Sequence, residues 1–348
     1  MVKMSRFRIT PVQIFNGVHA EWVSPLSFFP DGHRLVSQSH EWSDEEDDVV
    51  GKTVVWNLDG VVVASRADPG STGSASLSPD GRWVAVSGFK DFTIHAASDL
   101  RLFQRLTVQG REGDEVHFTA DGHYLAVAGK TSVDDQVKDR YVAPLVLFRC
   151  GTWTPVVLAQ EAPSAHVLAS TQGGRLACGS WRNWAQFWDL DRRALISEWV
   201  ANPGDKDGKN QAVVTIALCA DGTRLVSSGE LPGTFSVWDT MSGRLIHRLG
   251  SQLSVKVVIS YIDDTFVFSA DPHGNIDVWD VGSGQHLARA ETGPVEIPAI
   301  DIGTGERSME HLSEAPGVTS LAVSPDGRLI AAGTGSGSVY LYEVVRDS

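Results

Sequence analysis

The sequence contains no run of 18 apolar residues, so it offers no segment able to cross a bilayer as a helix. Its opening, MVKMSRFRITPVQIF, carries basic side chains but no uninterrupted apolar stretch, and it does not read as a secretory leader. Cysteine is scarce as well. Cys150, Cys178 and Cys219 are too few and too irregularly spaced for a disulfide framework or a zinc site, and they read as small buried side chains in a reducing compartment. Positive charge is in deficit, with 29 Lys and Arg against 43 Asp and Glu and a formal net charge of -14. No Lys/Arg cluster interleaves with aromatics, so phosphate neutralisation has no source and nucleic acid is not an expected partner. No amphipathic basic helix is there to hold a membrane surface. A nucleophile elbow, a phosphate-binding glycine loop and a ring of histidines are all missing, so no catalytic residue, no metal and no cofactor are expected. The lone histidines His95, His117, His247 and His286 are expected to be structural or superficial. These absences describe a soluble cytoplasmic protein that is not an enzyme.

What the sequence does contain is a repeat. Hydrophobic residues make up 42% and charged residues 21%, ordinary for a chain with a packed core. Copies of one pattern begin at Phe28 (FFPDGHRLVS), Leu77 (LSPDGRWVAVSG), Phe118 (FTADGHYLAVAG), Ser170 (STQGGRLACGS), Leu218 (LCADGTRLVSSG), Tyr261 (YIDDTFVFSA) and Val323 (VSPDGRLIAAG), seven in all. In most of them an apolar strand runs into an Asp-Gly turn, whose glycine can take positive φ, and alternating apolar residues follow. A third strand ends in an aromatic, at Trp56, Trp188, Trp238, Trp279 and, weakened, Tyr342. A fourth strand, such as RLIHRL or RALISEWV, closes the unit.

Turn, alternation and Trp-Asp at nearly constant spacing together resemble the WD-repeat (WD40) family, over essentially the whole chain. The resemblance implies an all-β fold, a seven-bladed β-propeller of four-stranded antiparallel blades, strands a to d. One domain, 1–348, is expected, with blades near 18–66, 67–107, 108–160, 161–200, 211–250, 251–291 and 315–345, the last completed by strand 7–15. The final repeat stops after its third strand, and RITPVQIFNGVH reads as the missing fourth. Residues 7 to 15 should therefore pair with residues 338 to 344, closing the propeller without a free edge at the seam. Two departures stand out. The family's Gly-His dipeptide survives only as Gly17-Val18-His19, and Arg182, His273 and Ser336 replace the Asp of the b–c turn. The hydrogen-bonded tetrad of a WD blade is thus expected to be mostly absent, leaving the blades to apolar packing.

The irregularities of the repeat point to function. Two b–c connections are long, Gly32 to Trp56 and Gly122 to Phe148, and so are two d–a connections, Trp188 to Gly222 and Trp279 to Gly327. Because strands alternate in direction, all four emerge at one face, and loops on a rigid scaffold are where binding usually resides. The first insertion, SHEWSDEEDDVVGK, gathers Glu41, Asp44, Glu45, Glu46, Asp47 and Asp48 around Trp42. It is either a solvated acidic flap or a recognition surface for a basic partner anchored by Trp42. GSWRNWAQFWD adds Trp181, Arg182 and Trp184 in a short b–c turn, a composition enriched at interface hot spots. The insertion from Thr292 is long enough for a short helix over 306–312. Counting back six residues from each turn places Ser24, Gly73, Asp114, His166, Val214, Lys256 and Thr319 at the channel mouth. There Asp114, His166 and Lys256 provide an alternative reading, an enzyme or small-ligand binder. The preferred expectation is a scaffold or adaptor whose inserted face binds a protein or peptide of basic character.

Overall fold

A computed structural model describes residues 6–347 apart from the segments 44–47, 89–90, 109–111, 131–133, 136–139, 181–182, 202–211, 230–234, 250–257, 262–263, 291–294 and 313–316 and the single residues 70, 164, 272 and 303. The described residues form strands and no helix, and so no helix among them is long and apolar enough to cross a membrane. After β1 (Arg6–Asn16), the strands β2 (Val23–Phe28), β3 (Arg34–Ser43), β4 (Asp48–Asn57) and β5 (Val62–Pro69) make the first sheet. The second is β6 (Ser71–Leu77), β7 (Trp83–Gly88), β8 (Phe92–Ala96) and β9 (Leu102–Leu106). The third holds β10 (Glu112–Phe118), β11 (Tyr124–Lys130), the two-residue β12 (Asp134–Asp135), β13 (Arg140–Arg149) and β14 (Thr154–Pro163). The fourth is β15 (Ala165–Ser170), β16 (Arg175–Ser180), β17 (Trp184–Asp189) and β18 (Ala194–Val200). The fifth is β19 (Val213–Leu218), β20 (Arg224–Gly229), β21 (Phe235–Asp239) and β22 (Arg244–Leu249), and the sixth β23 (Val258–Tyr261), β24 (Phe266–Ala270), β25 (Ile276–Asp280) and β26 (His286–Arg289). The last strands, β27 (Val295–Asp301), β28 (Arg307–Leu312), β29 (Val318–Val323), β30 (Leu329–Thr334) and β31 (Val339–Asp347), join β1 in a six-stranded sheet ordered β28-β27-β1-β31-β30-β29. The fold class is the seven-bladed propeller, built from mostly four-stranded antiparallel blades.

The chain divides into two compact units, residues 1–69 with 260–348 and residues 70–259. In both, the turns follow from aspartate chemistry. Between strands a and b the carboxylate folds back onto the chain: Asp31 Oδ1 accepts the His33 N–H at 2.8 Å, Asp221 Oδ1 that of Thr223 at 2.8 Å and Asp326 Oδ1 that of Arg328 at 3.1 Å. The following glycines, Gly32, Gly222 and Gly327, all sit at φ near +70°, which only glycine adopts without strain. Between strands c and d the Asp of Trp-Asp does the same work. Asp239 and Asp280 accept the N–H groups of Ser242 and Ser283 at 2.8 and 2.7 Å.

In the first unit, β1 runs antiparallel to β31 from Phe7 opposite Arg346 to Phe15 opposite Val339, the seam pairing expected from the sequence. Its other edge is covered too. Ile14, Phe15 and Asn16 pair in parallel with Ala299, Ile300 and Asp301 of β27. The helix expected over 306–312 is therefore wrong, because these residues form β28 and pair antiparallel with β27 from Val295–Leu312 to Ile300–Arg307. The physical reason is the turn between them. Asp301 Oδ1 accepts the Thr304 N–H at 2.7 Å and Gly305 lies at φ +73°, which reverses the chain into a hairpin and leaves no room for a helical turn. Ile300 and Ile302 of this hairpin are buried with Phe15, Leu35 and Trp56 in the core of the first unit. In the second unit, neighbouring sheets share apolar layers, one of them built from Phe92, Phe118, Val127 and Phe148 and another from Phe187, Trp199 and Trp238.

Candidate functional site

Each site position depends on how the third strand is anchored to the second. Trp56 Nε1 donates to Ser37 Oγ at 3.1 Å, Trp238 Nε1 to Ser227 Oγ at 2.9 Å and Trp279 Nε1 to Ser269 Oγ at 2.9 Å. In the fourth sheet Cys178 occupies the serine position, and Trp188 Nε1 donates instead to Gln186 Oε1 at 3.2 Å. His19 Nε2 lies 2.8 Å from Ser37 Oγ, so the first sheet extends the bond into a His-Ser-Trp chain. The polar set is thus reduced, but its Ser-Trp half survives where the sequence suggested apolar packing alone.

The long b–c connection of the first sheet is mostly strand. Val23 opposite Ser39 is the last pair between β2 and β3, yet β3 and β4 continue through His40–Gly51, Glu41–Val50, Trp42–Val49 and Ser43–Asp48. Four further pairs at about 3.3 Å per residue carry the hairpin roughly 13 Å past β2. Glu41 and Trp42 lie in β3 and Asp48 opens β4, their side chains outside the description; Asp44, Glu45, Glu46 and Asp47 fall outside the described residues altogether. At the same end of the first unit stands Trp22, just before β2 and 57% exposed. A Cβ placed on Gly335, in the β30–β31 turn, would lie 3.8 Å from its indole Nε1. The sequence reading did not single out Trp22, although it has no place in the repeat and precedes an inner strand.

In the second unit Trp181 and Arg182 lie outside the described residues. Trp184 does not sit in the turn as expected. It opens β17 opposite Val200, is half-buried, and donates its backbone N–H to Ser180 Oγ at 3.1 Å. The ladder claims this residue because alternation in WAQFWD reaches back to it. Of the positions assigned to the channel mouth, Lys256 is outside the described residues, and Asp114 and His166 are described in backbone only. Those backbones share a property. Ser24, Gly73, Asp114, His166, Val214 and Thr319 each fall where the register between strands a and b shifts. A bulge is a place where a strand can re-aim a side chain. Thr319 uses it to donate Oγ1 to the Val23 carbonyl at 2.9 Å.

Residues 307–343 match the family model described as WD domain, G-beta repeat. That segment runs from β28 into β31, ending one residue past Tyr342, the weakened aromatic of the last repeat, and the turn-and-aromatic pattern it carries recurs along the chain. The chain thus resembles the WD-repeat family. Among curated proteins the chain is similar to the guanine nucleotide-binding protein subunit beta-like protein of Encephalitozoon cuniculi, 22% identical over 166 residues, 46% of this chain and 46% of that protein. It is also similar to the small ribosomal subunit protein RACK1y of Oryza sativa subsp. japonica, 23% identical over 192 residues, 55% of this chain and 48% of that protein. The chain spans about half the length of the curated relatives it matches. WD-repeat propellers are in general protein-interaction scaffolds without catalysis of their own.

The turn chemistry of the repeats also explains the inserted hairpin. DIGTGE at Asp301 repeats the pattern of DVGSGQ at Asp280, the c–d turn of the sixth sheet. Gly305 N donates to Asp301 O at 2.7 Å as Gly284 N does to Asp280 O at 2.8 Å, and Asp301 N donates to Glu306 O as Asp280 N does to Gln285 O. β27 and β28 therefore share the c–d turn of the sixth sheet and are laid against β1. The signal was present in the sequence, but without a Trp before the Asp it escaped the alignment.

Proposed function

We propose that this chain is a non-catalytic scaffold that docks a basic protein or peptide at the end of its sheets where the b–c and d–a connections emerge. Trp22 carries the proposal: a tryptophan 57% exposed beside the base of a projecting hairpin whose intervening segment is acidic from Asp44 to Asp48. An exposed indole supplies apolar area at low entropic cost, and the carboxylates steer a cationic partner toward it. Trp42 shares that end of the first unit by its place in the repeat, and Trp181, Arg182 and Trp184 hold the corresponding b–c place in the second unit. Binding rather than chemistry is also what the two relatives' membership of larger assemblies, as a protein subunit and a ribosomal protein, leads one to expect.

The test begins with affinity purification from the native host and identification of the co-purifying chains, followed by stopped-flow association of the purified pair. Replacing Glu45, Glu46, Asp47 and Asp48 by Gln or Asn should slow association at about 0.05 M salt at least tenfold. Raising salt to about 0.5 M, which cuts the screening length from roughly 14 to 4 Å, should slow the wild type to the same rate. Trp22→Ser should instead speed dissociation. If both variants associate and dissociate as the wild type does, the surface lies elsewhere on the scaffold.

A further inference from the structure

At the opposite end of the second and third sheets, where the a–b and c–d turns lie, four aromatic side chains from separate elements meet. Trp83 opens β7, and its ring lies 4.4 Å from that of Phe103 in β9. Trp153, in the β13–β14 turn, stands perpendicular to Trp83 at 6.4 Å and packs at 6.4 Å from Phe103 and 6.3 Å from Phe118. This is not a closed core. Phe103 is 52% exposed and Leu102 beside it 36% exposed, so one edge of the cluster faces solvent.

Two features accompany the exposure. The first is backbone strain. Trp153 sits at φ +54° and closes its turn by donating N–H to Arg149 O at 2.7 Å. Gly243, Gly284 and Gly305 hold the equivalent place in other c–d turns, each donating to the Asp four residues before. A tryptophan in the left-handed region costs about 1–2 kcal/mol relative to glycine, a penalty that Leu100 at φ +53° and Arg193 at φ +51° also bear in the c–d turns of the second and fourth sheets.

The second feature is charge. The Arg82 guanidinium lies 5.6 Å from the Trp83 ring centroid, the Arg149 guanidinium 5.6 Å from that of Tyr124, and Arg101 immediately precedes Leu102. Among the described residues none of these three arginines makes an ion pair. The nearby carboxylates are turned onto their own turns: Asp80 accepts Ser78 Oγ and the Arg82 N–H, Asp99 the Arg101 N–H, and Asp121 Thr119 Oγ1 and the His123 N–H. A guanidinium stacked on a ring face keeps its N–H edge free for a carboxylate. In a chain of net charge -14, cations without an ion pair on the Trp83 and Tyr124 rings and next to Leu102 in sequence favour an acidic ligand.

We infer that this platform docks an acidic segment of a partner protein, which lays an apolar side chain on Phe103 and Trp153 and brings carboxylates to Arg82, Arg101 and Arg149. The surface is built on a–b and c–d turns of the second unit, whereas the one proposed above is built on a b–c connection of the first, and it takes a partner of the opposite charge, so neither reading depends on the other. Two such surfaces would let the scaffold hold a basic and an acidic partner at once.

A displayed library of random 12-residue peptides, selected on the intact protein, provides the test. Peptides retained by the wild type and lost on Phe103→Ser should be enriched in Asp and Glu flanking an aromatic or Leu. As synthetic fluorescein-labelled peptides they should bind at least tenfold more weakly to Arg82→Glu, Arg149→Glu and Phe103→Ser, while shifting the tryptophan emission of the wild type. Unchanged melting temperatures and circular dichroism show that the variants fold, and Phe103→Leu, which keeps apolar area, should restore part of the affinity. Selection of no Phe103-dependent peptide overturns the inference, as does a selected set without acidic enrichment. Phe103-sensitive binding of labelled oligo-dT assigns the platform to nucleic acid instead, and sedimentation showing a wild-type dimer that Phe103→Ser dissociates assigns it to a second copy of this chain.

Discussion

His117 of β10 shows how one side chain ties a pair of sheets to pH. Its Nε2 lies 2.9 Å from Ser170 Oγ at the end of β15, and the same hydroxyl accepts the Ala120 N–H at 2.8 Å. The residue keeps some exposed surface, but its imidazole is enclosed where the two sheets meet, and that desolvation pushes its pKa down to about 4. The folded protein therefore keeps the ring neutral in a range where the unfolded chain protonates it. Stability contributed by this neutral ring is complete above the unfolded pKa of about 6.5 and is lost as pH falls toward 4. His117→Gln retains a polar side chain without the titration, so its melting temperature should change less than that of the wild type between pH 7 and pH 4. Equal slopes for the two proteins in calorimetry over that range would show that His117 does not carry the dependence. Below pH 4 a different set takes over. Hydrogen bonds from Ser242 and Ser324 hold the Asp239 and Asp326 carboxyls below their usual values, so those turns weaken only as such carboxylates protonate.

Among the elements, the hairpin of β27 and β28 is the one that changes the molecule most. Its turn repeats the c–d turn of the sixth sheet, but among the described residues it has no a and b strands of its own, and it lies against the outer edge of β1. Three parallel pairs, the Gln13 Nε2 bond to Pro298 O at 2.8 Å and the contact of Asn16 Nδ2 with Glu310 Oε1 at 2.5 Å fix it there. Ile300 then reaches the c–d turn of the first sheet. A Cβ on Gly60 would lie 2.6 Å from Ile300 Cγ2, which explains why that turn has glycine on steric as well as conformational grounds. Ile300→Ala should cost about 2–4 kcal/mol in urea unfolding, the range for truncating a buried aliphatic side chain. A loss below about 1 kcal/mol would mean that the hairpin rests on the surface and is no part of the core.

For the whole molecule, the seam carries the greatest consequence. β1 supplies nine residue pairs to β31, buries Phe7, Ile9, Ile14 and Phe15, and carries the inserted hairpin on its other side. Deleting residues 1–16 would strip all of this at once and expose the edge of β31, with β27 and β28 left unattached. The truncated chain should melt at least 10 °C lower and elute as soluble aggregates, since an unpaired edge strand templates further pairing. A monodisperse truncation with the wild-type melting temperature would contradict the seam.

Local chemistry was legible in the sequence. Asp31-Gly32 and its counterparts each specify a turn through one carboxylate and one positive φ, and alternation on either side specifies the strands, so the repeats and the seam could be counted from the chain alone. Within the candidate site, residue types were legible but their placement was not. Trp184 looked like a turn residue until the ladder claimed it, Trp22 belonged to no pattern, and the insertion from Thr292 was long enough to suggest a helix over 306–312. The positions from Ser24 to Thr319 were found by counting, but only the strand register revealed them as bulges. The meeting of Trp83, Phe103 and Trp153 lies further still from what a sequence shows, because it depends on which turn of one sheet faces which strand of the next. Turns and strands are decided by residues a few positions apart, whereas a surface is decided by packing between residues that the chain itself keeps tens of positions apart.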